Sequence, residues 1–121
     1  MDSFEILKIA ANALNEKKAR ELNAVKVTEL TVLTEYFLIA TATSSTHVHA
    51  LADEGEEKLK EQGVTPHHIE GRTSGWLVLD YGSVIVHVFG RQEREFYALD
   101  KMWNDAVSVD LKDILLENEG D

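Results

Sequence analysis

Tyr36-Phe37-Leu38-Ile39-Ala40-Thr41-Ala42-Thr43, followed at once by Ser44-Ser45-Thr46, is the stretch that decides the fold. The first eight residues are almost all apolar or β-branched, without the polar alternation of a one-sided strand. They read as a central strand covered on both faces. The hydroxyl residues that follow are N-cap candidates for a helix. In that helix Val48, Leu51, Ala52, Gly55 and Leu59 share one face, and Glu54/Lys58 and Glu56/Lys60 are favourable pairs four apart. Gly63 and Pro66 end it.

Upstream, Asp2 to Arg20 reads as a helix. Phe4, Leu7, Ala11 and Leu14 recur at helical spacing, widened by Ile6, Ala10 and Ala13, and Asp2 with Glu5 forms a variant capping box. Val25 and Val27 indicate a strand near residues 23–30. Downstream, residues 67–71 fit a short strand. Residues 76–80 and 84–89 fit a hairpin turning on Tyr81-Gly82-Ser83, with Gly82 free to take positive φ. Phe96, Leu99, Met102 and Trp103 form a helical stripe. Val107 to Leu116 add a strand or a short helix. The expected architecture is α/β, a mixed sheet of about five strands flanked by helices. Residues 1–116 form one domain and 117–121 an acidic, disordered tail.

The 121 residues carry a formal net charge of −10 and no cysteine. An acidic surface is repelled by nucleic acid and anionic lipid, whose binding gains from Lys and Arg. Little direct nucleic-acid binding and no membrane binding are expected; a basic protein is the favoured partner. Without cysteine there is neither disulfide nor thiolate metal site. The acidic start, Met1-Asp2-Ser3-Phe4-Glu5, lacks the basic and apolar regions of a signal peptide, so a cytoplasmic location is expected.

Catalytic patterns are few. His47 and His49 are two apart on a helix and face different ways. His67 and His68 are adjacent and point to opposite faces of a strand. His87 alternates with Val86 and Val88 and reads as a packed or hydrogen-bonded histidine. No metal motif, phosphate-binding glycine loop or nucleophile elbow occurs. A strand leading into Ser44-Ser45 and a helix has the outline of a nucleotidyltransferase domain. Ala42, however, stands where the glycine of its turn belongs, and Glu70 and Asp80 do not form the Asp-x-Asp pair that holds Mg²⁺. The expectation is a nucleotidyltransferase-like fold without the catalytic metal site: no catalytic residue, no metal and no cofactor. A divergent nucleotide-handling enzyme is the alternative.

What remains is aromatic. Trp76, Leu77, Tyr81, Phe89, Phe96, Tyr97, Leu99, Met102 and Trp103 fall within one stretch, while residues 38–75 hold no aromatic side chain. Trp and Tyr dominate interface energetics, so the cluster points to a protein-binding face, with Phe89 and Phe96 assigned to the core.

Several blocks, in this order and spacing, resemble the Iojap or ribosomal silencing factor family. They are Glu35 to Thr41, His47 to Asp53, Glu70-Gly71, Trp76 to Gly82, Val84 to Phe89 and Arg94 to Trp103. Glu35, Ala42, Thr46, His49 and Ser83 depart from the family's usual residues. The resemblance implies a translation repressor that binds ribosomal protein uL14 of the large subunit and sterically blocks joining of the small subunit under nutrient limitation. It implies a homodimer and no cofactor. The implied partner-binding residues are Trp76, Leu77, Asp80, Tyr81, Gly82, Tyr97, Leu99, Met102 and Trp103.

Overall fold

In the computed structural model, residues 1–28, 34–71, 75–91 and 107–115 are described. Helix α1 spans Ser3–Glu16. The strands are β1 (Arg20–Lys26), β2 (Tyr36–Ala42), β3 (His68–Glu70), β4 (Trp76–Asp80), β5 (Val84–Gly90) and β6 (Val107–Val109). Helix α2 runs Ser45–Glu61 between β2 and β3, and a 3₁₀ turn, Leu111–Asp113, follows β6.

The six strands form one mixed sheet in the order β3-β4-β5-β2-β1-β6. β2 and β5 run parallel at its centre, and the other neighbours are antiparallel. The central-strand reading of residues 36–43 is thereby borne out. The sheet has one strand more than expected because Val107–Val109 pairs with Ala24–Lys26 along the open edge of β1.

Both helices are capped as their sequences dictate. Asp2 accepts the Glu5 amide at 2.8 Å, and Ser44 accepts the His47 amide at 3.1 Å. These bonds satisfy amides that the first helical turn leaves without partners. The first helix is shorter than the Asp2 to Arg20 span read from the sequence. Lys18 adopts the left-handed conformation (φ 67°), and the Ala19 amide returns to the Leu14 carbonyl. The chain therefore reverses at Lys17–Lys18, and β1 begins at Arg20, three residues before its predicted start. An irregularity between Arg20 and Asn23, with Glu21 at φ 45°, accommodates the early entry.

α1 and α2 pack on the same face of the sheet. Leu7, Ala10, Ala11 and Leu14 meet Val48, Leu51, Ala52 and Leu59 of α2, and Leu38, Ala40, Leu77, Leu79, Val86 and Val88 complete this core. Phe4, expected in the stripe, stays 43% exposed at the rim, its ring edge-on to Tyr36. Alternation along the strands sends Phe37, Ile39 and Phe89 to the opposite face, where they cluster with Val27, Val25, Trp76 and Ile85. The expected helical stripe at residues 96–103 and the tail at 117–121 lie outside the described residues. No helix among the described residues is long and apolar enough to cross a membrane.

Candidate functional site

The β4–β5 hairpin carries the sequence-predicted site, and strand parity divides it. Trp76 and Phe89 are paired across the two strands, as are Val78 and His87. The Trp76 and Phe89 rings stack with centroids 5.0 Å apart, and Phe37 on β2 meets His87 edge-on at 4.8 Å. Trp76 Nε1–H donates to Nδ1 of His87 at 3.2 Å. Nδ1 is therefore the acceptor, and the imidazole proton sits on Nε2, which finds no acceptor among the described residues. Burial pushes the His87 pKa down to about 4, so the ring is neutral near pH 7. His87 is thus the packed, hydrogen-bonded histidine its alternation predicted.

The turn is held by its backbone. Asp80 Oδ1 accepts the Gly82 amide at 2.7 Å, and the Asp80 carbonyl accepts the His67 amide at 2.8 Å. Gly82 sits at φ +82°, with His67 Cε1 3.0 Å from where a Cβ would stand. Only glycine occupies such a position without strain. Ser83 contributes through its carbonyl, which accepts the amides of Glu35 and Tyr36 and ties the turn to the start of β2.

Trp76, Asp80 and Gly82 are partly exposed. Leu77 and Tyr81 are not part of that surface. Leu77 is fully buried and Tyr81 is 4% exposed, both in the core beneath the helices. Period-two alternation puts Leu77 and Leu79 on the side opposite Trp76, Val78 and Asp80. The Tyr81 hydroxyl is buried without a hydrogen-bond partner among the described residues, and burial, reinforced by the Glu56 charge, pushes its pKa up to about 12. Tyr97, Leu99, Met102 and Trp103 lie outside the described residues.

The acids weighed for nucleotidyl transfer are turned to neighbours. Glu70 meets His68 Nε2 at 2.7 Å, while Asp80 caps Gly82. Ser44 is the N-cap of α2. Sequence reasoning missed the role of His47. The Thr43 amide donates to its Nδ1 at 2.9 Å, so Nε2 carries the proton and donates to the Lys17 carbonyl at 2.7 Å. His47 thereby ties the end of α1 to the start of α2. Its position three residues after the N-cap was the available signal.

A family model described as "Ribosomal silencing factor during starvation" matches residues 1–121. The chain belongs to the ribosomal silencing factor family. The family's member from Halalkalibacterium halodurans is 35% identical over 116 residues, 95% of this chain and 99% of the relative. A crystal structure of a Chromobacterium violaceum protein matches with a TM-score of 0.83 at 35% identity, covering 86% of this chain and 88% of that one. The likeness reaches a mouse protein named "Mitochondrial assembly of ribosomal large subunit protein 1". That relative is 32% identical over 94 residues, 74% of this chain and 41% of the mouse protein. The silencing-factor resemblance carried by the sequence blocks is borne out.

Proposed function

We propose that this protein docks on the large ribosomal subunit through ribosomal protein uL14 and represses translation by excluding the small subunit from the joining face. The observation that carries the proposal is the family match over residues 1–121. The mouse relative, named for large-subunit assembly, supports the choice of subunit. The net charge of −10 supports a basic protein partner, whose encounter with this factor is electrostatically steered.

The docking face centres on the hairpin. Trp76, Asp80 and Gly82 present its partly exposed side; by the family resemblance, Tyr97, Leu99, Met102 and Trp103 also take part in binding. Leu77 and Tyr81 support the hairpin from within the core. Trp76 has the geometry of an anchor: one ring face rests on Phe89, and its N–H is held by His87. The protein acts by binding and occupying space in the cytoplasm, without a cofactor or a reaction, when nutrients are short. Two copies associate when free, which sedimentation equilibrium measures.

Cosedimentation with purified subunits tests the assignment. The protein should travel with isolated large subunits and not with small ones, and large subunits stripped of uL14 should fail to capture it. Equal capture with and without uL14 would refute the partner.

A further inference from the structure

A cavity of about 480 Å³ opens at the carboxyl ends of the parallel pair β2 and β5, at the end of β5 opposite the hairpin turn. Arg20, Glu21, Thr41, Ala42, Thr43 and Arg91 line it. Crevices at the carboxyl ends of parallel strands are where open α/β sheets accept ligands. The last pair of the parallel ladder, Ala42 with Gly90, brings Thr43 and Arg91 to this end of the sheet. Arg20, paired with Thr41, delivers a second guanidinium from the other side of β2.

The described lining carries two arginines against one carboxylate, Glu21, in a chain of net charge −10. Of twelve Lys and Arg residues in the chain, three fall in Lys17-Lys18-Ala19-Arg20. The left-handed turn at Lys18 and the His47–Lys17 hydrogen bond hold this basic run against the start of α2. α2 has no acidic residue in its first turn. Arg91, the residue after β5, joins from a distant part of the sequence. A chain of net charge −10 therefore folds with two arginines, Arg20 and Arg91, lining one cavity. Guanidinium groups match the oxygens of a phosphate in bidentate fashion.

We propose that this cavity binds a small phosphate monoester bearing hydroxyl groups, such as a mononucleotide. Arg20 and Arg91 hold the phosphate, while Thr43 Oγ1, which gives its own proton to His47 Nδ1 at 3.2 Å, and Glu21 accept from ligand hydroxyls. Glu21 disfavours a bare dianion, and the acidic surface beyond the cavity disfavours polymeric RNA. The cavity volume suits a ligand of this size. The inference is independent of docking on the ribosome.

Amide and arginine Nε NMR signals of the full-length protein, titrated with adenosine monophosphate, inorganic phosphate and a short single-stranded RNA, test it. Adenosine monophosphate should give saturable shifts at Arg20, Thr43, Ser45 and Arg91, at lower concentration than inorganic phosphate or RNA. Arg20→Gln with Arg91→Gln should weaken it more than about tenfold, because charge-assisted contacts are lost. Both arginines are exposed, so the melting temperature should not change. Glu21→Gln should narrow the preference for the ester over inorganic phosphate. The proposal is overturned by the absence of saturable shifts, by shifts that survive the double substitution, or by tighter binding of phosphate or RNA than of the mononucleotide.

Discussion

Trp76 and His87, on neighbouring antiparallel strands, share a hydrogen bond of 3.2 Å in which the indole donates to a neutral imidazole. The bond fixes the tautomer of a buried histidine and orients a partly exposed tryptophan, so one pair serves both core and surface.

Acid should weaken the fold through His87. Its pKa is lowered from 6.5 to about 4 by burial, so below pH 6.5 the unfolded chain binds a proton that the folded protein resists. The stabilisation is complete above pH 6.5 and is lost as pH falls towards 4, by up to about 3 kcal/mol. Urea unfolding of wild type and His87→Phe between pH 7 and pH 4.5 should show a smaller loss in the variant. Parallel curves would remove His87 as the cause.

Tyr81 should behave as a core residue. Tyr81→Ala should destabilise by roughly 3–5 kcal/mol, as large aromatic truncations do. Tyr81→Phe removes a buried hydroxyl that has no partner among the described residues and should leave the melting temperature unchanged or higher. A wild-type melting curve for Tyr81→Ala would contradict the core placement.

Gly82→Ala should cost about 1–2 kcal/mol, since it puts a side chain at positive φ against the His67 ring. Removing that ring with His67→Ala should relieve the steric part of the cost and leave the backbone part. A double-mutant cycle measured by chemical denaturation separates them.

Trp76→Phe keeps an aromatic ring over Phe89 but deletes the donor to His87. Trp76→Ala removes both. On the docking account, Trp76→Ala should lose about 2 kcal/mol or more of affinity for uL14. Calorimetric binding paired with thermal melting distinguishes a lost anchor from a lost fold. Undiminished affinity in a folded variant would move the docking face elsewhere.

Much of this architecture is legible in the chain because the signals are local. The even hydrophobicity of Tyr36 to Ala42 specifies a strand covered on both faces, and Ser44 starts α2 where a hydroxyl cap is needed. The end of α1 is not legible, because Asn15 to Arg20 hold no glycine or proline to mark a stop, and only the left-handed turn at Lys18 ends the helix. β6 is ambiguous for a related reason: three residues at an open edge are specified by the strand they pair with. In the site, sequence proximity placed Leu77 and Tyr81 beside Trp76. Leu77 follows the opposite parity, and the hairpin turn carries Tyr81 under the helices. The His47 link and the arginine cavity join residues far apart in sequence and emerge only from the folded chain.

The central claim is steric exclusion at the joining face, and light scattering of subunit association tests it most directly. Added to large subunits before small subunits, the protein should lower the association amplitude in proportion to its occupancy. Added to assembled ribosomes, it should act only as fast as they dissociate. Raised salt should slow its capture, because screening acts within about 8–10 Å. Undiminished joining with large subunits saturated by the folded protein would contradict the account.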